Sequence, residues 1–262
     1  MAKVYERIAD DIRQRIRAGE LSPGDRLPAE TKLAEEFRKS VPTIQNALRV
    51  LVDEGLVEKQ HGRGTFVRKP RARTLRNNSR HQWEKSRARA PQAVRQETGA
   101  TEHDTGLEID ELVFSAAYRE IKADKRLAEI FGVPEKTALL ERTYRTRYAG
   151  DTAPFALNTS YLVRSSVESN PDLLDDANEP WPGGTQNQLF TVGIELGRIE
   201  ERITARPPGH EEAEELELPP GTSVLVLHKT SYDTNDRVVE MSDVILPGDR
   251  TELLFTTSLE RW

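Results

Sequence analysis

Two stretches of this 262-residue chain repeat one another at a fixed offset, and nothing else in the sequence constrains the fold as much. LAEIFGVPEKTALLERTYRTRYAGDTAPFALNTSYLV parallels AEELELPPGTSVLVLHKTSYDTNDRVVEMSDVILP. Val133-Pro134 and Leu218-Pro219 stand 85 positions apart, as do Leu139/Leu140 and Val224/Leu225. Each copy reads as helix, proline turn, strand, hairpin turn, strand. Two such units predict one antiparallel sheet of quasi-twofold symmetry with helices packed on it. LVFSAAYREI and IEERITARPP read as further strands, so the second part of the chain is of the α/β (α+β) class.

The N-terminal part carries a different pattern. Val4, Ile8, Ile12 and Ile16 are four apart and form one apolar helix face, closed by Gly19. LSPGDRLPAE is a turn-rich link, and TKLAEEF is a short helix with Leu33, Ala34 and Phe37 inward. Ser40 can cap a third helix whose Ile44, Leu48, Leu51 and Val52 point inward, with Pro42 in its first turn. LVEKQ and TFVRK then read as two strands around an HGRG tip, where Gly62 and Gly64 permit a tight turn. Three helices and a small hairpin make a winged helix-turn-helix.

Charge divides the chain in the same way. Residues 1–70 carry a balance of +3, residues 71–95 of +7 and the remainder of -16, giving -6 overall. A basic N-terminal third on an acidic remainder suggests a polyanion-binding module joined to a domain with another task. Residues 69–96 hold many arginines and few apolar residues and show no convincing helical period, so they read as a linker, with Trp83 as a lone anchor. Its cations suit phosphate contacts or merely solubility. The expected organisation is a DNA-binding domain over 1–69, a basic linker over 70–106 and a second domain over 107–262.

Composition removes other classes. The absence of cysteine excludes disulfides and thiolate metal sites and is compatible with a reducing cytoplasm. Five scattered histidines lack metal-ligand spacing, and no cofactor motif is present. No apolar run of about 18 residues predicts a membrane span.

GELSPGDRLPAETKLAEEF followed by VPTIQNALRVLVDEGLVEKQHGRGTFV resembles the GntR family of bacterial transcription regulators over about residues 4–68. Three positions depart from that family's common arginines: Thr31, Val41 and Gln45. By resemblance all three face DNA, so the expected reading alphabet changes. Gln45 and Asn46 can each pair with adenine, Val41 can touch a thymine methyl, and Ser40 and Thr43 reach phosphate or base edges. Arg49 suits the backbone, His61, Gly62 and Arg63 the minor groove, and Lys59 and Arg68 the phosphates. The resemblance also implies a homodimer on a palindromic double-stranded operator.

Residues 107–260 resemble the UTRA ligand-binding domain of the HutC subfamily, on RTRYAGDTAPFALNTSYLV and LPPGTSVLVLHKTSYDTNDRVVEMSDVILPGDR. That resemblance implies a small-molecule effector site between the two halves, with Arg145, Arg147, Tyr161 and Glu240 at matching positions. Alternation puts Arg145 and Arg147 on one sheet face, where two guanidiniums could clamp an anion or form structural ion pairs. GGTQNQLFTVG replaces the family's usual Ser-x-Tyr stretch, and Gly183-Gly184-Thr185 there could offer amides to an anion or be only a turn. A second domain that only dimerises stays open, as does, more remotely, a chorismate-lyase-like enzyme; no nucleophile–base pair or metal cluster supports the last.

Overall fold

The computed structural model describes residues 3–69 and 73–259. Helices α1 (Val4–Arg17), α2 (Glu30–Glu36) and α3 (Val41–Asp53) precede a hairpin of β1 (Val57–Gln60) and β2 (Gly64–Val67). Ile8, Ile12, Leu33, Ile44, Leu48 and Leu51 close a single core with Val57 and Val67 of the hairpin. Val4 instead stays 47% exposed, because it opens α1 beyond the reach of that core. Gly62 at the hairpin tip has φ of +72°, a conformation that side-chain-bearing residues avoid. Ser40 occupies the cap position of α3 in extended backbone, yet its hydroxyl makes no cap bond and shares a 2.9 Å hydrogen bond with the Thr43 hydroxyl.

The stretch expected as a linker is structured over its described residues from 73 on. It forms β3 (Thr74–Asn77), α4 (Arg80–Ala88), α5 (Gln92–Gln96) and α6 (Ala100–Thr105). Only Ala88 is buried in α4, which explains the missing apolar period. Polar anchors hold the segment instead. Arg76 donates to Glu201 at 2.7 Å, and Lys85 to the Leu196 carbonyl at 2.6 Å. Gln186 and Asn187 donate to the carbonyls of His81 and Ala88 at 2.9 and 2.6 Å. Periodicity registers apolar burial and is blind to a helix pinned by hydrogen bonds.

Beyond it come β4 (Leu112–Lys122), α7 (Lys125–Phe131), β5 (Ala138–Tyr148), β6 (Leu157–Val163) and α8 (Arg164–Val167). Then follow α9 (Gly184–Thr191), β7 (Leu196–Arg206), α10 (His210–Glu215), β8 (Val224–Asp233), β9 (Val238–Pro247) and β10 (Thr251–Leu254). Six strands form one antiparallel sheet in the order β4-β5-β6-β9-β8-β7. The two repeated units, β4-α7-β5-β6 and β7-α10-β8-β9, meet along β6 and β9, where Asn158 lies opposite Val244 and Ser160 opposite Ser242. This is the quasi-twofold arrangement that the 85-residue offset predicts.

Period-2 alternation gives the sheet two unlike faces. One packs Leu139, Tyr161 and Met241 against α7, and Leu157, Val224 and Val226 against the Leu216 end of α10. The other carries Arg142, Ser160 and Glu240, and is covered by α9 and by the basic segment. A short parallel ladder of β3 with β10 ties that segment to the C-terminal strand.

Candidate DNA-reading surface and effector cavity

None of the ten residues expected to face DNA is buried, and they lie on α2, on α3 and its cap, and at the hairpin tip. Thr31, Ser40, Gln45, Arg49, His61, Gly62 and Arg63 are exposed, and Val41, Thr43 and Asn46 are half-buried. Gln45 is not free: its Nε2 donates to Glu30 Oε2 at 2.7 Å, and Lys59 Nζ donates to Glu30 Oε1 at 3.2 Å. The Gln45 hydrogen bond, with help from Lys59, holds the Glu30 carboxyl below its usual range. Arg49 donates to Asn46 Oδ1 at 2.9 Å, and the Arg63 guanidinium lies 5.8 Å from the centre of the Phe66 ring. Two of the candidate readers, Gln45 and Asn46, are therefore held by charged neighbours, Glu30 and Arg49.

A cavity of about 430 Å³ lies between the polar sheet face, α9 and the basic segment. Tyr144, Thr146, Asn158, Lys229, Glu240 and Ser242 line it from the sheet. Arg76, Arg80, His81 and Trp83 line it from the basic segment, and Gly184, Thr185 and Gln188 from the third side. Phe114, Phe155 and Trp181 add apolar surface, which suits a small organic ligand held by a few polar groups.

Behind this wall lies a buried charge network. Arg142 is fully buried and donates to Gln188 at 2.7 Å, Ser160 at 2.8 Å and Thr185 at 3.5 Å. Glu240 accepts from Ser160 and Ser231, each at 2.9 Å, and pairs with Lys229 at 3.0 Å and Arg142 at 3.5 Å. Burial opposes the charge on Glu240, but Lys229 and Arg142 outweigh it and hold the carboxyl at about 2. Glu179 accepts from the hydroxyls of Tyr118 and Tyr144 and from Gln188 Nε2. Burial pushes the Tyr118 hydroxyl up to about 12 and Tyr144 well above the usual tyrosine range, so both stay protonated donors.

On the opposite wall Arg80 pairs with Asp104 and, at 3.5 Å, with Glu84. His81 Nε2 stands 3.0 Å from Glu201, off the hydrogen-bond direction. Burial disfavours the His81 cation, yet Glu201 and Glu84 raise its pKa overall. Glu84 and Glu201 are half-buried, which opposes their charge, yet both lie at about 2, held there by Arg80 and His81 in the first case and by His81 and Arg76 in the second. Several polar atoms around the cavity lack a hydrogen-bond partner: Arg76 Nε, Arg80 Nε, Asn158 Oδ1 and Thr251 Oγ1. Such under-satisfied groups are a common mark of a functional site.

The six effector residues expected from sequence divide evenly. Gly184, Thr185 and Glu240 line the cavity; Arg145, Arg147 and Tyr161 do not. The two arginines do share a face, but it is the wrong one. Arg145 pairs with Glu215 of α10, and Arg147 donates to the Asp151 carbonyl at 2.7 Å. Tyr161 packs in the α7 core. Strand parity gives the reason: in ERTYRTRY the cavity face belongs to Arg142, Tyr144 and Thr146, one position away from Arg145 and Arg147. The Gly183-Gly184 corner is a turn, with Gly184 N–H donating to the Trp181 carbonyl at 2.9 Å, so that amide is not offered to an anion.

Missed by the sequence reading were Arg142, Tyr144, Lys229, Glu179 and the whole wall from the basic segment. One signal was present: Lys229 stands 85 positions after Tyr144, so the repeat places both at equivalent points of the sheet. No comparable pattern marks Glu179 or His81.

A winged helix joined to a sheet domain with a ligand-sized cavity defines a class, the DNA-binding regulators that carry a second sensing or assembly domain. Residues 4–67 match the family model for bacterial regulatory proteins of the gntR family, and residues 115–252 match the UTRA domain. The chain belongs to the GntR/UTRA family of transcriptional regulators and is of the repressor type. It is 27% identical to the transcriptional repressor NagR of Bacillus subtilis over 252 residues, 94% of this chain and 91% of NagR. It is 25% identical to the histidine utilization repressor of Klebsiella aerogenes, across 96% of this chain and 93% of that one. The crystal structure of PhnF from Mycobacterium smegmatis, 21% identical, shares the fold with a TM-score of 0.54 over 97% of this chain and all of that one. These families and relatives are regulators, not enzymes. Among the described residues, no helix is long and apolar enough to cross a membrane and no cluster of three or more acidic or histidine side chains could hold a metal.

Proposed function

We propose that this chain represses transcription as a homodimer on a two-fold operator, and that a small molecule in the cavity sets its DNA affinity. The observation carrying the second part is the origin of the cavity walls. One wall is the sheet; the other is the basic segment that follows the DNA-binding domain in sequence. A ligand bridging the two favours one arrangement of that segment, and only such differential binding can shift the equilibrium of the attached domain. Arg49, Lys59 and Arg68 would supply phosphate contacts and His61 and Arg63 would enter the minor groove, with Val41, Thr43, Gln45 and Asn46 in the major groove.

Both charge signs meet in the cavity: Glu84, Asp104, Glu201 and Glu240 match Arg76, Arg80 and Lys229, while Arg87 and Arg95 donate to backbone carbonyls. That balance supports a ligand with both donors and acceptors over a bare anion. A thermal-shift screen of metabolites tests this: a true effector stabilises by an amount that grows with concentration and changes operator affinity in a gel-shift titration. If no compound stabilises the protein while it still runs as a dimer on a two-fold site, the second domain serves dimerisation alone.

A further inference from the structure

We infer that Glu30 is a specificity-determining residue that fixes the orientation of the Gln45 amide and so makes this regulator prefer adenine to guanine at one operator position. The inference rests on the DNA-reading role of α3. Glu30 opens α2, two elements before the wing, yet it touches both readers: one carboxylate oxygen accepts from Gln45 Nε2 at 2.7 Å and the other from Lys59 Nζ at 3.2 Å.

A carboxylate is an acceptor only. Gln45 must therefore turn its NH2 towards Glu30, and its Oε1 must point elsewhere. One amide N–H remains uncommitted beside that oxygen. A neighbouring donor and acceptor are what the N7 and N6–H2 edge of adenine requires, whereas guanine presents two acceptors. An untethered glutamine can rotate its amide and offer donors to guanine instead. Glu30 removes that option and also freezes side-chain rotations that DNA binding would otherwise have to freeze. Asn46 is less suited to the same pairing, because its Oδ1 already accepts from Arg49 at 2.9 Å.

Glu30 also places a negative charge beside a surface that meets phosphates, which opposes binding in general. Its contribution is thus discrimination at the expense of overall affinity, a combination that a merely structural glutamate does not produce. The test is selection of bound DNA from a random pool with full-length wild type, Glu30→Gln, Glu30→Ala and Gln45→Ala, followed by titration of the enriched site and its single-base variants. Wild-type enrichment of any two-fold sequence checks the DNA-reading role separately. Gln45→Ala identifies the base position that Gln45 reads. At that position alone, both Glu30 variants should lose adenine-over-guanine preference by on the order of fivefold. Binding to random-sequence DNA should stay equal or rise. In the Gln45→Ala background, Glu30→Gln should change nothing further at that position. Unchanged preference in both Glu30 variants overturns the assignment; so does a uniform loss across all positions together with weaker random-sequence binding.

Discussion

The two polar surfaces of this molecule use the same side chains to opposite ends. On α3 and the wing, Gln45, Asn46, Arg49 and Arg63 lie in or near solvent, within one short stretch of chain. Around the cavity, Arg142, Gln188, Ser160 and Glu240 come from distant segments and are buried. An exposed amide or guanidinium contributes little to folding and remains available to DNA. The buried ones must satisfy one another, so each is tied to stability as well as to any ligand. The two surfaces are thus separated by solvent access and not by residue type.

Substitution at the centre of the buried network should break the contrast most sharply. Arg142→Met leaves Glu240 with Lys229 as its only cation and strands the Gln188 carbonyl, so urea titration should register a loss of roughly 3–5 kcal/mol. Acid should act through both walls of the cavity. Glu84, Glu201 and Glu240 lie at about 2 against an ordinary 4.5, so their contribution is complete above pH 4.5 and is lost as pH falls towards 2. Each can remove up to roughly 1.4 kcal/mol per pH unit in that window, and Glu240→Gln should flatten part of the decline in melting temperature.

A smaller effect is expected where α9 meets α4. Asn187 accepts from Trp181 Nε1 at 2.7 Å and donates to the Ala88 carbonyl at 2.6 Å. Asn187→Ala leaves both groups unpaired, and differential scanning should show a loss of about 1–3 kcal/mol. At the other end of the scale stand Gln45→Ala and Arg145→Ala. Both alter exposed or paired surface groups, and each should move stability by less than about 1 kcal/mol. Arg145→Ala should in addition leave the response to any cavity ligand intact. A large loss at either position would collapse the distinction between the two surfaces.

The sequence by itself determined the winged helix, the number of strands in the repeated units and their quasi-twofold pairing. These follow from apolar spacing, turn residues and a fixed offset, all local in the chain. It also set Val41, Gln45 and Asn46 on the outer side of α3, because a helix turns regularly and its exposed positions can be counted, and none of them is buried. Only the tertiary structure decided which face of β5 looks into the cavity: shifting by one residue exchanges Arg145 and Arg147 for Tyr144 and Thr146, and both sets are polar enough to suit either face. The same holds for residues 73–105. Lys85, Asn187 and Gln186 bind backbone carbonyls that no sequence pattern announces, so a stretch that reads as a tether folds as the second wall of the cavity.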